Sequence, residues 1–252
     1  MSIQTTLEQL KALKTHGMRK AFEEQLEQPN TYLDLSMEQR FSLIVDREVI
    51  DRHNKKVTRL VSQAKFKIQA VPQEIDYLHP RSLSKDLIGT LLNGEWLHRK
   101  QNLLITGPTG CGKSYLACAI GHHVCQQGMS VKYFRASRFF EKLLLGHGDG
   151  SYPKLIKDLT KVNLLILDDW GVDQLAPLNR TDFFEIMEDR HNHSSTLIAS
   201  QVPTIHWHEV IGDPTLADAI LDRLLHNAYR IKLTGESMRK TKDNLTDADQ
   251  SS

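Results

Sequence analysis

Eight residues, Gly107-Pro108-Thr109-Gly110-Cys111-Gly112-Lys113-Ser114, restrict this chain more than any other stretch. They follow the apolar run Asn102–Thr106 and open a helical pattern from Tyr115 to Gln127. A strand, a glycine-rich loop ending in Gly-Lys-Ser and then a helix is the arrangement that cradles phosphates. Gly107, Gly110 and Gly112 let the backbone turn so that successive N–H groups face phosphate oxygens. The helix N-terminus adds partial positive charge at the same spot. Lys113 can reach the β- and γ-phosphates, and the Ser114 hydroxyl can take a place on Mg²⁺. Pro108, Thr109, Cys111 and Tyr115 complete the stretch expected to line the nucleotide. The motif predicts binding of a nucleoside triphosphate. No Asn-Lys-x-Asp guanine-reading motif is present, which favours ATP.

A second element completes the expectation. Leu164-Leu165-Ile166-Leu167-Asp168-Asp169 reads as a buried strand ending in two acids, 55 residues beyond Lys113. Ligands of parallel sheets sit beyond the carboxyl ends of the strands, which would bring Asp168 beside the loop. Asp168 is expected to hold Mg²⁺ directly or through water, and Asp169 to orient or deprotonate the water that attacks the γ-phosphate. Aspartate is one methylene shorter than glutamate, so slow intrinsic hydrolysis would fit.

Around these motifs the chain alternates strand and helix from Asn102 onward. That predicts an α/β fold, a five-stranded parallel sheet with helices on both faces. The strands are expected at Asn102–Thr106, Val131–Phe134, Val162–Asp168, Thr196–Ser200 and Tyr229–Leu233. Residues 1–70 read instead as a helical, charged N-terminal domain, 71–100 as a connector, 101–239 as the nucleotide domain and 240–252 as a disordered tail. Capping boxes are expected at Thr6/Gln9 and Ser36/Gln39. In the second helical segment Val49, Ile50, Val57, Leu60, Val61 and Ala64 form an apolar stripe. Arg52, Lys55, Lys56 and Arg59 share another face. Residues 47–67 hold seven Lys/Arg against Glu48 and Asp51, in a chain whose 32 Lys/Arg nearly balance 31 Asp/Glu. Such a helix face is commonly just solvated; here the local excess makes it a candidate contact for a phosphate backbone.

Other features exclude more than they assign. The N-terminus lacks the apolar core of a signal peptide, and no 18-residue apolar run exists, so a soluble cytoplasmic protein is the expectation. Cys111, Cys118 and Cys125 lack the spacing of a disulfide framework or zinc site. The pairs His191/His193 and His206/His208 have no accompanying set of ligands. No clustered acidic triad suggests a nuclease.

In order, the segments GPTGCGKS, LLILDDWG, TLIASQ, DPTLADAILDRLLHNAYRI and GESMRK resemble the IstB family of transposition ATP-binding proteins. These are AAA+ ATPases related to the helicase loader DnaC and the initiator DnaA. The resemblance covers roughly residues 5–240 and is strongest from Asn102 to Lys240. It implies that Ser200 and Gln201 occupy the sensor-1 position near the γ-phosphate. It implies that Arg223 is inserted into a neighbouring subunit's site and that Arg239 is the sensor-2 arginine. It further implies an ATPase without strand-transfer activity. Such a protein would assemble with itself as a ring or helix on duplex DNA and recruit or stimulate its transposase. A DnaC-like helicase loader is the alternative within the same fold. A small-molecule P-loop kinase is the alternative outside it, disfavoured because no lid or acceptor motif is recognisable.

Overall fold

The computed structural model describes residues 2–238, so Arg239 and the polar tail expected at 240–252 lie outside the described residues. The chain divides into two compact units, Met1–Arg59 and Leu60–Ser252.

The first unit is helical. Helix α1 spans Ile3–Ala12, α2 His16–Glu27 and α3 Met37–Ala64, the last running on past Arg59. The first cap differs from expectation. Ser2, not Thr6, caps α1 by accepting the Thr5 N–H at 3.2 Å, and Thr6 lies inside the helix. Lys14, at φ 58°, separates α1 from α2. The second box forms as read: the Gln39 N–H donates to Ser36 Oγ at 3.3 Å and the Ser36 N–H to Gln39 Oε1 at 2.8 Å.

The stripe expected on α3 is not what this unit buries. Val49 and Ile50 are exposed, whereas Ile44 and the charged Glu48 are buried. Glu48 takes the place of an apolar residue because it caps the start of α2. Its Oε2 accepts the N–H groups of Gly17 and Met18 at 2.7 and 3.1 Å, and its Oε1 accepts from Arg52 Nε at 2.7 Å. Burial pushes the Glu48 pKa up, but the bonds from Arg52, Met18 and Gly17 outweigh it and hold the group below its ordinary value. Gly17 is required by contact: a Cβ there would lie 2.7 Å from the Arg47 carbonyl oxygen.

The second unit begins with the last turn of α3, where Leu60 and Ala64 join the α/β core. Residues 71–100, expected as a connector, carry α4 (Lys85–Leu92) and α5 (Glu95–His98). Ile88, Leu91, Trp96 and Leu97 of these helices are buried in that core. Then follow β1 (Asn102–Thr106), α6 (Lys113–Gln126), β2 (Val131–Arg135), α7 (Ala136–Asp149), α8 (Tyr152–Lys161) and β3 (Leu164–Trp170). The remaining elements are α9 (Pro177–Arg190), β4 (Ser195–Ser200), α10 (Trp207–Ile211), α11 (Pro214–Leu225) and β5 (Ala228–Lys232).

The five strands form a parallel sheet in the order β2-β3-β4-β1-β5. Alternate residues of each strand enter opposite cores, as side-chain alternation requires. Leu103, Ile105, Leu164, Ile166, Leu197 and Ala199 pack with α6 on one face. Leu104, Leu165, Leu167 and Ile198 pack with α7, α8, α9 and α11 on the other. These near-continuous apolar runs are the signature of strands buried on both faces. The order places β4 between β1 and β3, so the crossovers leave a crevice at the carboxyl ends of these strands.

Candidate nucleotide site

The loop from Gly107 to Gly112 leaves the end of β1 and delivers its last residues to the N-terminus of α6. Gly107, Gly110 and Gly112 all have positive φ (154°, 83° and 91°), a conformation costly for any residue with a Cβ. Gly112 occupies the N-cap of α6 without a side-chain cap, so the first N–H groups of this 14-residue helix have no capping side chain. Lys113 is buried and its ammonium donates to the Gly107 and Pro108 carbonyls, both at 2.7 Å. Burial pushes its pKa down, and the nearby Cys111, Asp168 and Asp169 oppose that shift. Cys111 is fully buried with its Sγ donating to the Pro108 carbonyl at 2.9 Å, so it serves the turn itself.

A cleft of about 700 Å³ opens in front of the loop. Thr109, Gly110, Gly112, Lys113, Ser114 and Tyr115 line one side, and Asp169 and Gln201 face them. Donors, a cation and a carboxylate in a cleft of this size fit a nucleoside triphosphate with its magnesium ion.

The two acids do not simply end a strand. Leu167 pairs with Ile198 while Trp170 pairs with Ser200, so β3 carries one residue more than β4 across the interval. This bulge holds Asp169 at φ 58° and turns its carboxylate to the cleft, while the strand continues to Trp170. Asp168 points inward and has no exposed surface. Its Oδ2 accepts from the Tyr133 hydroxyl at 2.6 Å and its Oδ1 from the Asp169 N–H at 2.9 Å. Burial and then this bond to Asp168 push the Tyr133 pKa far up, so the phenol remains a donor. Asp169 accepts from Arg135 Nε at 2.9 Å and lies 3.9 Å from Lys67 Nζ.

Ser200 and Gln201, expected together at the sensor-1 position, separate. Ser200 is fully buried, donating to the Trp170 carbonyl at 2.7 Å and accepting the Val202 N–H at 3.0 Å. Gln201 is exposed, and its Oε1 accepts from the Thr109 hydroxyl at 2.7 Å. Gln201 is therefore the member that lines the cleft.

Arg223 lies elsewhere. Asn102 Nδ2 donates to the Arg223 carbonyl at 2.9 Å, which fixes this residue beside the start of β1. The phosphate loop leaves the other end of that strand, about 13 Å away at 3.3 Å per residue. The Arg223 guanidinium is held by Glu188, by the Ala219 carbonyl at 2.7 Å and over the Phe184 ring at 5.2 Å. In the N-terminal unit, Arg52 pairs with Glu48 and Lys55 with Asp51 at 2.5 Å, while Lys56 and Arg59 are exposed.

Several groups carry no sequence motif: Glu74, whose carboxylate accepts from the Tyr115 hydroxyl at 3.1 Å, and Arg81 line the cleft, while Tyr133, Arg135 and Lys67 contact the two acids. Only their positions in the fold select them. Among the described residues no helix is long and apolar enough to cross a membrane, and no group of three or more His, Cys, Asp or Glu could hold a metal.

Comparison with known proteins agrees with this geometry. An insertion-sequence ATP-binding protein of Sinorhizobium fredii, y4pL, is 46% identical over 235 residues, covering 93% of this chain and 96% of its own. The insertion sequence IS1162 ATP-binding protein of Pseudomonas fluorescens is 43% identical over 81% of this chain and 88% of its own. Among solved structures, DnaI superposes with a TM-score of 0.56 at 20% identity, over 66% of this chain and 92% of that one. DnaA from Aquifex aeolicus bound to AMPPCP gives 0.56 at 19%, over 73% and 56%. These two establish the AAA+ P-loop fold alone. The IstB-like ATP binding protein model matches residues 8–246, and with the insertion-sequence relatives this settles that the chain belongs to that family.

Proposed function

We propose that this protein is an ATP-hydrolysing DNA-organising helper of its insertion element: it assembles with itself on duplex DNA and recruits or stimulates the partner transposase. The observation that carries the reading is the cleft in which the phosphate loop and Lys113 face the carboxylate of Asp169. Lys113 and the loop N–H groups bind the phosphates. Ser114 and Asp168 would hold Mg²⁺, which would neutralise phosphate charge. Asp169 positions and deprotonates the attacking water, and Gln201 hydrogen-bonds beside it. Before it acts, Asp169 must shed the Arg135 contact, which occupies its Oδ2. Strand transfer belongs to the transposase.

Asp169→Asn keeps shape and removes the base. Hydrolysis is expected to fall by about 10²–10⁴-fold. ATP affinity should stay near parental, measured by titration with a fluorescent ATP analogue. A parental hydrolysis rate in this variant would assign the water to another residue.

The basic face of α3 tests the DNA part. Of its two internal ion pairs, Lys55–Asp51 is a partly exposed i,i+4 contact worth only a few tenths of a kcal/mol that phosphate readily displaces, while Arg52 also balances the buried Glu48. Replacing Arg52, Lys55, Lys56 and Arg59 by glutamine should make the log–log salt dependence of duplex binding shallower by up to about 3.6. The effect should be alike for any DNA sequence, because phosphate contacts position rather than specify. An unchanged slope with lost transposase stimulation would assign this face to the partner protein.

A further inference from the structure

Arg81 precedes the sheet and belongs to none of the motifs, yet it lines the nucleotide cleft beside Gly112 and Lys113. It is only 2% exposed. Its Nη1 donates to the Cys111 carbonyl at 3.0 Å and touches Met238 Sδ at 3.2 Å, and its Nη2 donates to the Asp76 carbonyl at 2.6 Å. Among the described residues, Nε has no hydrogen-bond partner. No carboxylate among the described residues lies within ion-pair distance of the guanidinium. Its approach to the loop is close: a Cβ on Gly112 would sit 2.3 Å from Nη1.

The same chain contains a contrasting case. Arg190 is also buried, but its nitrogens are all accepted by oxygens, from Leu159, Val162, Ser195 and Thr196. That is a guanidinium used as a staple. Arg81 differs in its orphan donor and in its place at the cleft wall. A buried charge without a counter-charge is costly, and an unsatisfied donor adds to that cost. Burial accordingly pushes the Arg81 pKa down, against small opposing effects from Asp76, Cys111 and Tyr77.

We propose that Arg81 is a nucleotide-binding residue whose charge is completed by the diphosphate portion of the bound nucleotide. The inference rests on the reading of this cleft as the nucleotide site. Arg81 adjoins the Cys111–Gly112 end of the loop, at the N-terminus of α6, whereas Gln201 bonds Thr109 nearer the start of the loop. Arg81 therefore serves the phosphates common to ATP and ADP, not the γ-phosphate.

The test compares the full chain with Arg81→Gln and Arg81→Lys, using MgADP and Mg²⁺ with a β,γ-methylene ATP analogue. Arg81→Gln should weaken both ligands by the same factor, about 10- to 100-fold, as expected for a charge-assisted contact. Its melting temperature without nucleotide should be no lower than parental, because an uncompensated buried charge has been removed. The rise in melting temperature caused by MgADP should shrink. Arg81→Lys, which keeps the charge and loses the fork, should bind both ligands more tightly than Arg81→Gln. A lower nucleotide-free melting temperature with parental MgADP affinity would make Arg81 a staple like Arg190 and overturn the proposal. So would failure of Arg81→Gln to fold, or weakened binding of the ATP analogue alone. If the parental chain bound neither ligand, the nucleotide reading itself would fall; if it bound both and Arg81→Gln matched it, only this inference would.

Discussion

Arg223→Ala subunits are expected to bind ATP with parental affinity and to hydrolyse it about 10³-fold or more slowly, the effect of removing an arginine finger. The fold supplies the reason. Arg223 is tied to Asn102 at the start of β1, and the phosphate loop lies at the other end of that strand. An arginine side chain cannot span that length, which supports the proposal that Arg223 acts in a neighbouring subunit's cleft and not in its own. Glu188, the Ala219 carbonyl and the Phe184 ring hold the guanidinium in the single chain. A guanidinium stays charged at any working pH and presents several donors at once, which suits it to transition-state charge. Mixing is the decisive measurement. Arg223→Ala subunits combined with Lys113→Ala subunits pair an intact Lys113 cleft with an intact Arg223 neighbour, so hydrolysis should partly return. No recovery in mixtures shown to co-assemble would count against action in trans.

Lys113→Ala is expected to remove ATP binding at ordinary concentrations. The ammonium makes two bonds to loop carbonyls, and in the proposed function it turns from them to phosphate oxygens. Two charge-assisted bonds at about 1.5–3 kcal/mol each correspond to about 10²–10⁴-fold in affinity. Nucleotide titration reads this directly. The fold should survive, because the glycine conformations and the buried strands Asn102–Thr106 and Leu164–Trp170 do not depend on the lysine. Near-parental affinity in a folded variant would remove Lys113 from the site.

Much of this molecule was legible because its signals are local. The Gly107–Ser114 loop is a run of backbone conformations that glycine alone adopts cheaply, followed by a lysine and a hydroxyl at fixed offsets. Strands such as Leu103–Ile105 and Leu164–Leu167 announce burial on both faces through unbroken apolar runs, so the parallel sheet follows from composition along the chain. The Ser36/Gln39 box closes within one helical turn and forms as read. The Thr6/Gln9 box has the same residue types and does not form, because Ser2 starts the helix one turn earlier.

What the tertiary structure alone decided depends on register and on partners far away in sequence. The extra residue of β3 opposite β4 sends Asp168 inward to Tyr133 and Asp169 outward to the cleft, although both are aspartates in one apolar run. The neighbours Ser200 and Gln201 divide in the same way, one against the Trp170 carbonyl and one against Thr109. Arg81 reaches the loop from 30 residues before Cys111, and Glu48 replaces an apolar residue because α2 starts against it. The sequence by itself determined which backbone could hold a phosphate. Which acid faces it, and which cations stand beside it, was set by the pairing of strands and the packing of helices. Side-chain direction flips with each residue of register, and no local pattern records that choice.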